Sequence, residues 1–184
     1  QYYNKIFGDY HELCKSLGYK NKFQNIDNII LGKEYDKEEY KIFINTREQK
    51  PLKFKRAFRV RKLKFGDYAF SDKEVSCNCY VERKSISDFI GTISGGLERF
   101  QNEIARAKEA DAYLVVVVEK NLSSALDFTS LKETSSKIKA TPEFIFHRTR
   151  KLIQDNNHLQ FLFVKDTYEA ARITEKIFTM GCLL

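Results

Sequence analysis

The sequence predicts an α/β fold, a central sheet flanked by helices, with a small N-terminal extension. Three observations predict it. Ala112-Tyr113-Leu114-Val115-Val116-Val117-Val118-Glu119 is a continuous, largely β-branched run, the pattern of a strand buried on both faces and therefore central and parallel. Lys64–Phe70 and Val75–Lys84 read as two strands returning about a polar turn at Ser71-Asp72-Lys73-Glu74, a hairpin. From Ser85 onward, helical periodicity alternates with short apolar runs.

The 184 residues, 42% hydrophobic and 14% aromatic, suffice for one domain with a real core. No apolar run reaches the length of a membrane span, Leu114–Val118 being far too short, and the N-terminus lacks the apolar segment of a secretory signal. Without an initiator Met, the chain reads as a processed or excised piece. Cys14, Cys77, Cys79 and Cys182 are scattered and read as reduced thiols of an intracellular protein, nuclear in a eukaryote and cytoplasmic otherwise. Cys77 and Cys79 share a strand face without a second pair, and His11 with Cys14 has nothing nearby to complete a ligand set, so no zinc site is expected. A net charge of +7 makes a polyanionic partner plausible.

Taken in order, residues 1–40 form a separate small unit, with a short helix over Tyr10–Leu17 stopped at Gly18 and a charged linker over Lys33–Tyr40. The main domain spans 41–184. Tyr40–Asn45 is a first strand ending at Thr46-Arg47-Glu48, and strand ends are where α/β sheets place chemistry. Residues 49–64 carry no acid but hold Lys50, Lys53, Lys55, Arg56, Arg59, Arg61, Lys62 and Lys64 between apolar residues. A phosphate backbone suits such a cluster, because each neutralised phosphate releases counterions; the alternative is a solubilising face. The hairpin returns Glu82 toward Asp67, in a register that a bulge at Gly66 can shift. Ser85 caps a helix carrying Phe89, Ile90 and Ile93, with Asp88 in its first turn. Gly95-Gly96 separates it from a helix over Leu97–Ala110, on which Arg99, Arg106 and Lys108 face DNA or water. Residues 120–140 are loop-like, with one helical turn near Ala125. Thr141-Pro142-Glu143 opens a helix running to about Asn156, Leu159–Val164 is another buried strand, and Asp166–Glu169 starts a last helix toward Met180.

The chemistry centres on Val81-Glu82-Arg83-Lys84-Ser85-Ile86-Ser87-Asp88. Alternation along a strand puts Glu82 and Lys84 on one face and Val81 and Arg83 on the other. A carboxylate beside an ammonium can hold a divalent cation and hold or deprotonate a water next to it. Asp67 with Glu82 would meet the needs of Mg²⁺, which keeps several waters and takes further oxygens from substrate phosphate. Helix capping alone also accounts for Asp88.

Glu82-Arg83-Lys84-Ser85-Ile86-Ser87-Asp88, preceded by Gly66-Asp67, resembles the GD…ERKxxxD signature of the XPF-type structure-specific endonucleases, within the PD-(D/E)XK superfamily. The resemblance covers about residues 41–184 and implies a restriction-endonuclease-like mixed sheet flanked by helices. It implies metal ligation by Asp67 and Glu82, and a water oriented or activated by Lys84. Arg83 and Asp88 match supporting motif positions, Glu48 an acidic position that helps build the site, and Gln101 a position in the following helix. Arg47, Lys53, Lys55, Arg56, Arg59, Arg61, Lys62 and Arg99 are the expected DNA-binding residues. The implied cofactor is Mg²⁺, replaceable by Mn²⁺, and the implied partners are branched or flapped DNA and a second subunit, in a homodimer or heterodimer, held by the C-terminal part of the domain. Two departures stand out. The family places Asp where this chain has Asn45, which can still offer a neutral oxygen, and Arg after the glycine where this chain has Leu97. The tandem helix-hairpin-helix units of many relatives do not follow within these 184 residues. The resulting expectation is a metal-dependent DNA endonuclease; the alternative is an inactive DNA-binding scaffold subunit, which would be expected to lose the acids and lysine that this chain keeps.

Overall fold

The computed structural model describes residues 41–55, 58–71, 76–134 and 139–178. The unit expected over 1–40, His11 with Cys14, Arg56, the hairpin turn at 72–75 and the chain beyond Phe178 lie outside the described residues.

Six strands form one mixed sheet: β1 (Lys41–Asn45), β2 (Phe58–Arg61), β3 (Tyr68–Ser71), β4 (Ser76–Ser85), β5 (Tyr113–Glu119) and β6 (Leu159–Val164), in the order β2-β1-β3-β4-β5-β6. The β3–β4 hairpin and the β1–β3 pair are antiparallel, and β1–β2, β4–β5 and β5–β6 are parallel. The parallel pairs require crossovers. Helices α1 (Ile86–Ile93) and α2 (Leu97–Glu109) connect β4 to β5; α3 (Leu122–Leu126), a 3₁₀ turn at Phe128–Ser130 and α4 (Pro142–Asp155) connect β5 to β6; α5 (Thr167–Lys176) follows β6.

The helix starts follow their caps. Ser85 Oγ accepts from Asp88 N at 3.1 Å, Thr141 Oγ1 from Phe144 N at 3.3 Å with Pro142 as the first helical residue, and Asp166 Oδ1 from Glu169 N at 2.9 Å. Each satisfies a backbone N–H that the first turn leaves without a helical partner.

Alternation divides the core between two faces. Leu114, Val116 and Val118 of β5 pack with Phe89, Ile90 and Ile93 of α1, Phe100 and Ile104 of α2, and Ile145 and Leu152 of α4. Val115 and Val117 point the other way and are also buried, on the face shared by Val81, Tyr68 and Phe70. There Phe178, just past α5, stacks on Phe70 at 5.8 Å. The valine run is thus buried on both faces, as its composition requires.

Two elements differ from expectation. Phe58–Arg61, within the basic stretch, forms an edge strand whose four residues are all exposed. Leu159–Val164 is also an edge strand, with only Leu159 and Val164 buried; among the described residues no strand pairs with β6 on its outer side, and its middle is half-covered. Among the described residues, no helix is long and apolar enough to cross a membrane.

Candidate active site

The C-terminal end of β4 carries the site, and the pleat of that strand splits it in two. Glu82 and Lys84 lie on the face covered by α1 and α2. Lys84 Nζ donates to Glu82 Oε1 at 2.9 Å and stands 5.7 Å from the centre of the Phe100 ring. Arg83 lies on the other face. Its Nε and Nη2 donate to the two carboxylate oxygens of Glu119 at 2.8 and 3.3 Å, Nη1 donates to the Lys50 carbonyl, and Glu48 Oε1 stands 3.7 Å away. Glu48 also accepts from Lys50 N and, at 3.4 Å, from the hydroxyl of Tyr68, which in turn accepts from Leu52 N. A buried tyrosine thereby holds the loop after β1, and Arg83 fastens that loop to the ends of β4 and β5.

Asp67 joins the two halves. Its Oδ2 accepts from Arg83 N at 2.9 Å, while its own N–H donates to Val81 O and its carbonyl accepts from Asn45 N, both at 2.8 Å. The preceding Gly66 makes this approach possible. Its φ is +57°, and a Cβ there would sit 2.8 Å from the Val81 carbonyl oxygen, so only glycine fits without displacement. The hairpin therefore brings Glu82 back to Asp67, and both line an open cleft of about 460 Å³ with Arg47, Glu48, Arg83 and Lys84. Asp88 and Arg99 complete its rim beside Gly91, Thr92 and Gly96.

The electrostatics are those of crowded acids. Burial, then the Glu82 charge, push the Asp67 carboxyl up to about 7, against the pull of the Arg83 N–H and of Lys84. Burial also raises Glu82, although Lys84 opposes it. Such a pair favours a proton or a cation between its members. Asp67 Oδ1 and Glu82 Oε2 accept no hydrogen bond among the described residues, so each carboxylate keeps a hard oxygen for an ion such as Mg²⁺. Among the described residues no three acids, histidines or cysteines come together as a ligand cage. The donor set therefore fits a cation that completes its shell with water and phosphate oxygens, not one enclosed by protein.

The remaining predicted residues divide clearly. Asp88 lies at the cleft but is engaged by the Ser85 hydroxyl at 2.7 Å. Asn45 is buried, with Nδ2 donating to Gly66 O at 2.7 Å and Oδ1 accepting from Arg47 N at 3.3 Å. Its amide fastens strand to loop, and its oxygen is turned to the backbone instead of being held out for a metal. Gln101 does not reach the cleft: two residues from Arg99 on a helix it projects from another side, into a cavity with α4. Lys53, Lys55, Arg59, Arg61 and Lys62 are exposed. Register places Arg61 opposite Asn45, at the same sheet end as the cleft, with its guanidinium over the Phe43 ring at 4.5 Å. Sequence reasoning missed Glu119 and Tyr68. A sign for Glu119 was present: an acid ends the valine run, and parallel pairing with β4 puts it diagonally across from Arg83.

Fold and site define a mixed-sheet α/β domain with acids and a lysine gathered at one strand end. The ERCC4 domain family model matches residues 33–177, and the chain belongs to that family. The fold is also that of XPF from Aeropyrum pernix in complex with DNA, at a TM-score of 0.58 and 18% identity, covering 77% of this chain and 64% of that one. A second structure of XPF from Aeropyrum pernix gives 0.55 and 17% with the same coverage. The chain thus spans somewhat under two thirds of the structures it resembles. A search of curated proteins found no match.

Proposed function

We propose that this domain is a metal-dependent endonuclease that hydrolyses phosphodiester bonds of branched or flapped DNA. The observation that carries the reading is the convergence of Asp67, Glu82 and Lys84 in one cleft. Membership of the ERCC4 domain family and the DNA-bound state of the Aeropyrum pernix XPF structure support a DNA substrate.

Asp67 and Glu82 would hold Mg²⁺, which supplies charge stabilisation at the scissile phosphate and acidifies a bound water. Lys84, fixed by Glu82 and backed by Phe100, would orient a water for attack on phosphorus. As the new P–O bond forms the water gives up a proton to solvent, the P–O ester bond breaks, and the leaving oxygen takes a proton from solvent. Arg47, Arg99, Arg61 and Lys62 present charge to the flanking phosphates. Arg83 is neutralised by Glu119 and Glu48, so it positions Asp67 and the loop after β1. Dimerisation through the C-terminal part of the domain belongs to the same reading and is measurable by light scattering.

The test is cleavage of labelled 3′-flap, fork and plain duplex DNA with Mg²⁺, Mn²⁺ or chelator. Cutting of the branched substrates that needs metal and vanishes in Lys84→Ala and Glu82→Gln is expected; cutting that survives either substitution assigns the chemistry to other residues. One observation favours a second reading, a scaffold subunit: Asn45 supplies no carboxylate and is committed to the backbone. A scaffold would bind these DNAs, cut none of them, and show no defined Mn²⁺ site.

A further inference from the structure

Gln101 points to a second site. Together with Leu97 of α2 and His147, Arg148, Lys151 and Leu152 of α4, it lines a cavity of about 300 Å³. The first turns of α2 separate this cavity from the carboxylate cleft: Gly96 and Arg99 line the cleft, while Leu97 and Gln101 line the cavity. Helical spacing accounts for the division, since residues three or four apart share a side and residues two apart do not.

The lining suits one class of ligand. Leu97 and Leu152 give an apolar floor, which a phosphate backbone does not use but the face of an unpaired base does. Gln101 offers an amide that can donate to and accept from a base edge. His147 adds an exposed ring at the rim. Arg148 and Lys151 supply positive charge against the one acid in the lining, Asp155. Arg148 is held in place: its Nη1 donates to the carbonyls of Ile93 and Ser94 at 3.1 and 3.0 Å, and its guanidinium lies over Phe144 at 4.2 Å. That bonding fastens α4 to the C-terminal end of α1, so the cavity is fixed relative to the helix that rims the cleft. Its volume is at the small end of ligand clefts and admits a single nucleotide, not a duplex.

We infer that the cavity between α2 and α4 takes an unpaired base from a single-stranded arm of the DNA whose phosphate lies in the cleft. This rests on the reading proposed above. A helix is about 10 Å across and stacked nucleotides rise about 3.4 Å each, so the captured base is roughly three nucleotides from the phosphate in the cleft. The two openings together explain how one domain tells a branch from continuous duplex: only a branch offers an unpaired base at that distance.

The test is binding of the whole chain to forked DNA, by fluorescence anisotropy with chelator at one salt concentration. A single abasic residue is walked along the unpaired arm from the junction. About a tenfold loss of affinity confined to one or two adjacent positions is expected, and His147→Ala with Gln101→Ala should flatten the walk. Both side chains are exposed, so the fold is not at stake. A flat walk with the unmodified chain overturns the inference. So does an equal loss for forked and plain duplex DNA in Lys151→Ala, which would make the cavity a passage for the backbone only. Failure to bind any DNA removes both this inference and the function it rests on; a flat walk in a chain that still cuts branched DNA removes the cavity alone.

Discussion

At Gly66 the backbone adopts φ +57° with the Val81 carbonyl in the space a side chain would take. Gly66→Ala is expected to cost at least about 1–2 kcal/mol, from left-handed strain plus the displaced carbonyl, read as a lowered urea midpoint. It should reduce cleavage further than stability alone would, because Asp67 follows directly. Glu119 is the second residue to test. Glu119→Gln removes the charge and half of the bidentate acceptor from Arg83. About 1–2 kcal/mol of stability should be lost, as for a partly buried charged hydrogen bond. Metal affinity should fall about tenfold with DNA binding in chelator unchanged, since Arg83 reaches Asp67 through its backbone N–H. Titration of Mn²⁺ against each variant checks this.

Asp67 also sets a pH dependence. Its carboxyl ordinarily titrates near 3.8 and in the fold is pushed up to about 7. Between those values the folded chain holds a proton that the unfolded chain has released. Stability therefore falls as pH rises through that window and levels off above it. The loss at neutral pH is on the order of 4 kcal/mol, about three pH units at about 1.36 kcal/mol each. Urea midpoints from pH 4 to 8 should decline in the unmodified chain and decline less in Asp67→Asn, with the raised Glu82 contributing in the same sense. Saturating Mg²⁺ should raise the midpoint at pH 8, because a ligand bound only to the folded state stabilises it, and chelator should reverse the gain.

Among the elements, those defined by a short-range signal were legible. Caps at Ser85, Thr141 and Asp166 each opened the expected helix, and the valine run was central and parallel. The strand Phe58–Arg61 was not legible: Phe58 and Val60 do alternate with Arg59 and Arg61, but four residues inside a basic run are too few to set a period apart, and none of them reaches the core. Glu82, Lys84 and Asp67 converge as their spacing and the hairpin implied. The helix start at Leu97 was read as it stands, and helical spacing already parts Gln101 from Arg99; what the chain could not reveal was which of the two sides faces the cleft. Nor could it reveal that Asn45 would spend both ends of its amide on the backbone, since that depends on the Gly66 loop folding over it. Ser85→Ala tests the cap between strand and helix. Losing the hydroxyl that accepts from the Asp88 N–H and donates to the Asp88 carboxylate should cost about 1 kcal/mol and release that carboxylate into the cleft.

At the scale of the molecule, charge and topology act together. The net charge is +7, and the exposed basic residues around β2 run to the sheet end that carries the cleft. DNA affinity should therefore fall steeply and log-linearly with salt, and Arg61→Ala with Lys62→Ala should reduce the slope by about 2 when two phosphate contacts are lost.

The sheet order has a kinetic consequence. The residues around the cleft come from five stretches, the loop after β1, the turn before β3, the end of β4, α1 and the start of α2, with Glu119 at the end of β5 holding Arg83 from behind. None of these stretches holds the constellation alone, and the parallel β4–β5 pairing joins residues separated by the whole α1–α2 connection. Non-local pairing is the slow part of folding. On refolding from urea, helical signal should therefore return first, and Mn²⁺ binding should recover only with the final, slowest phase, so that the ion reports a completed sheet.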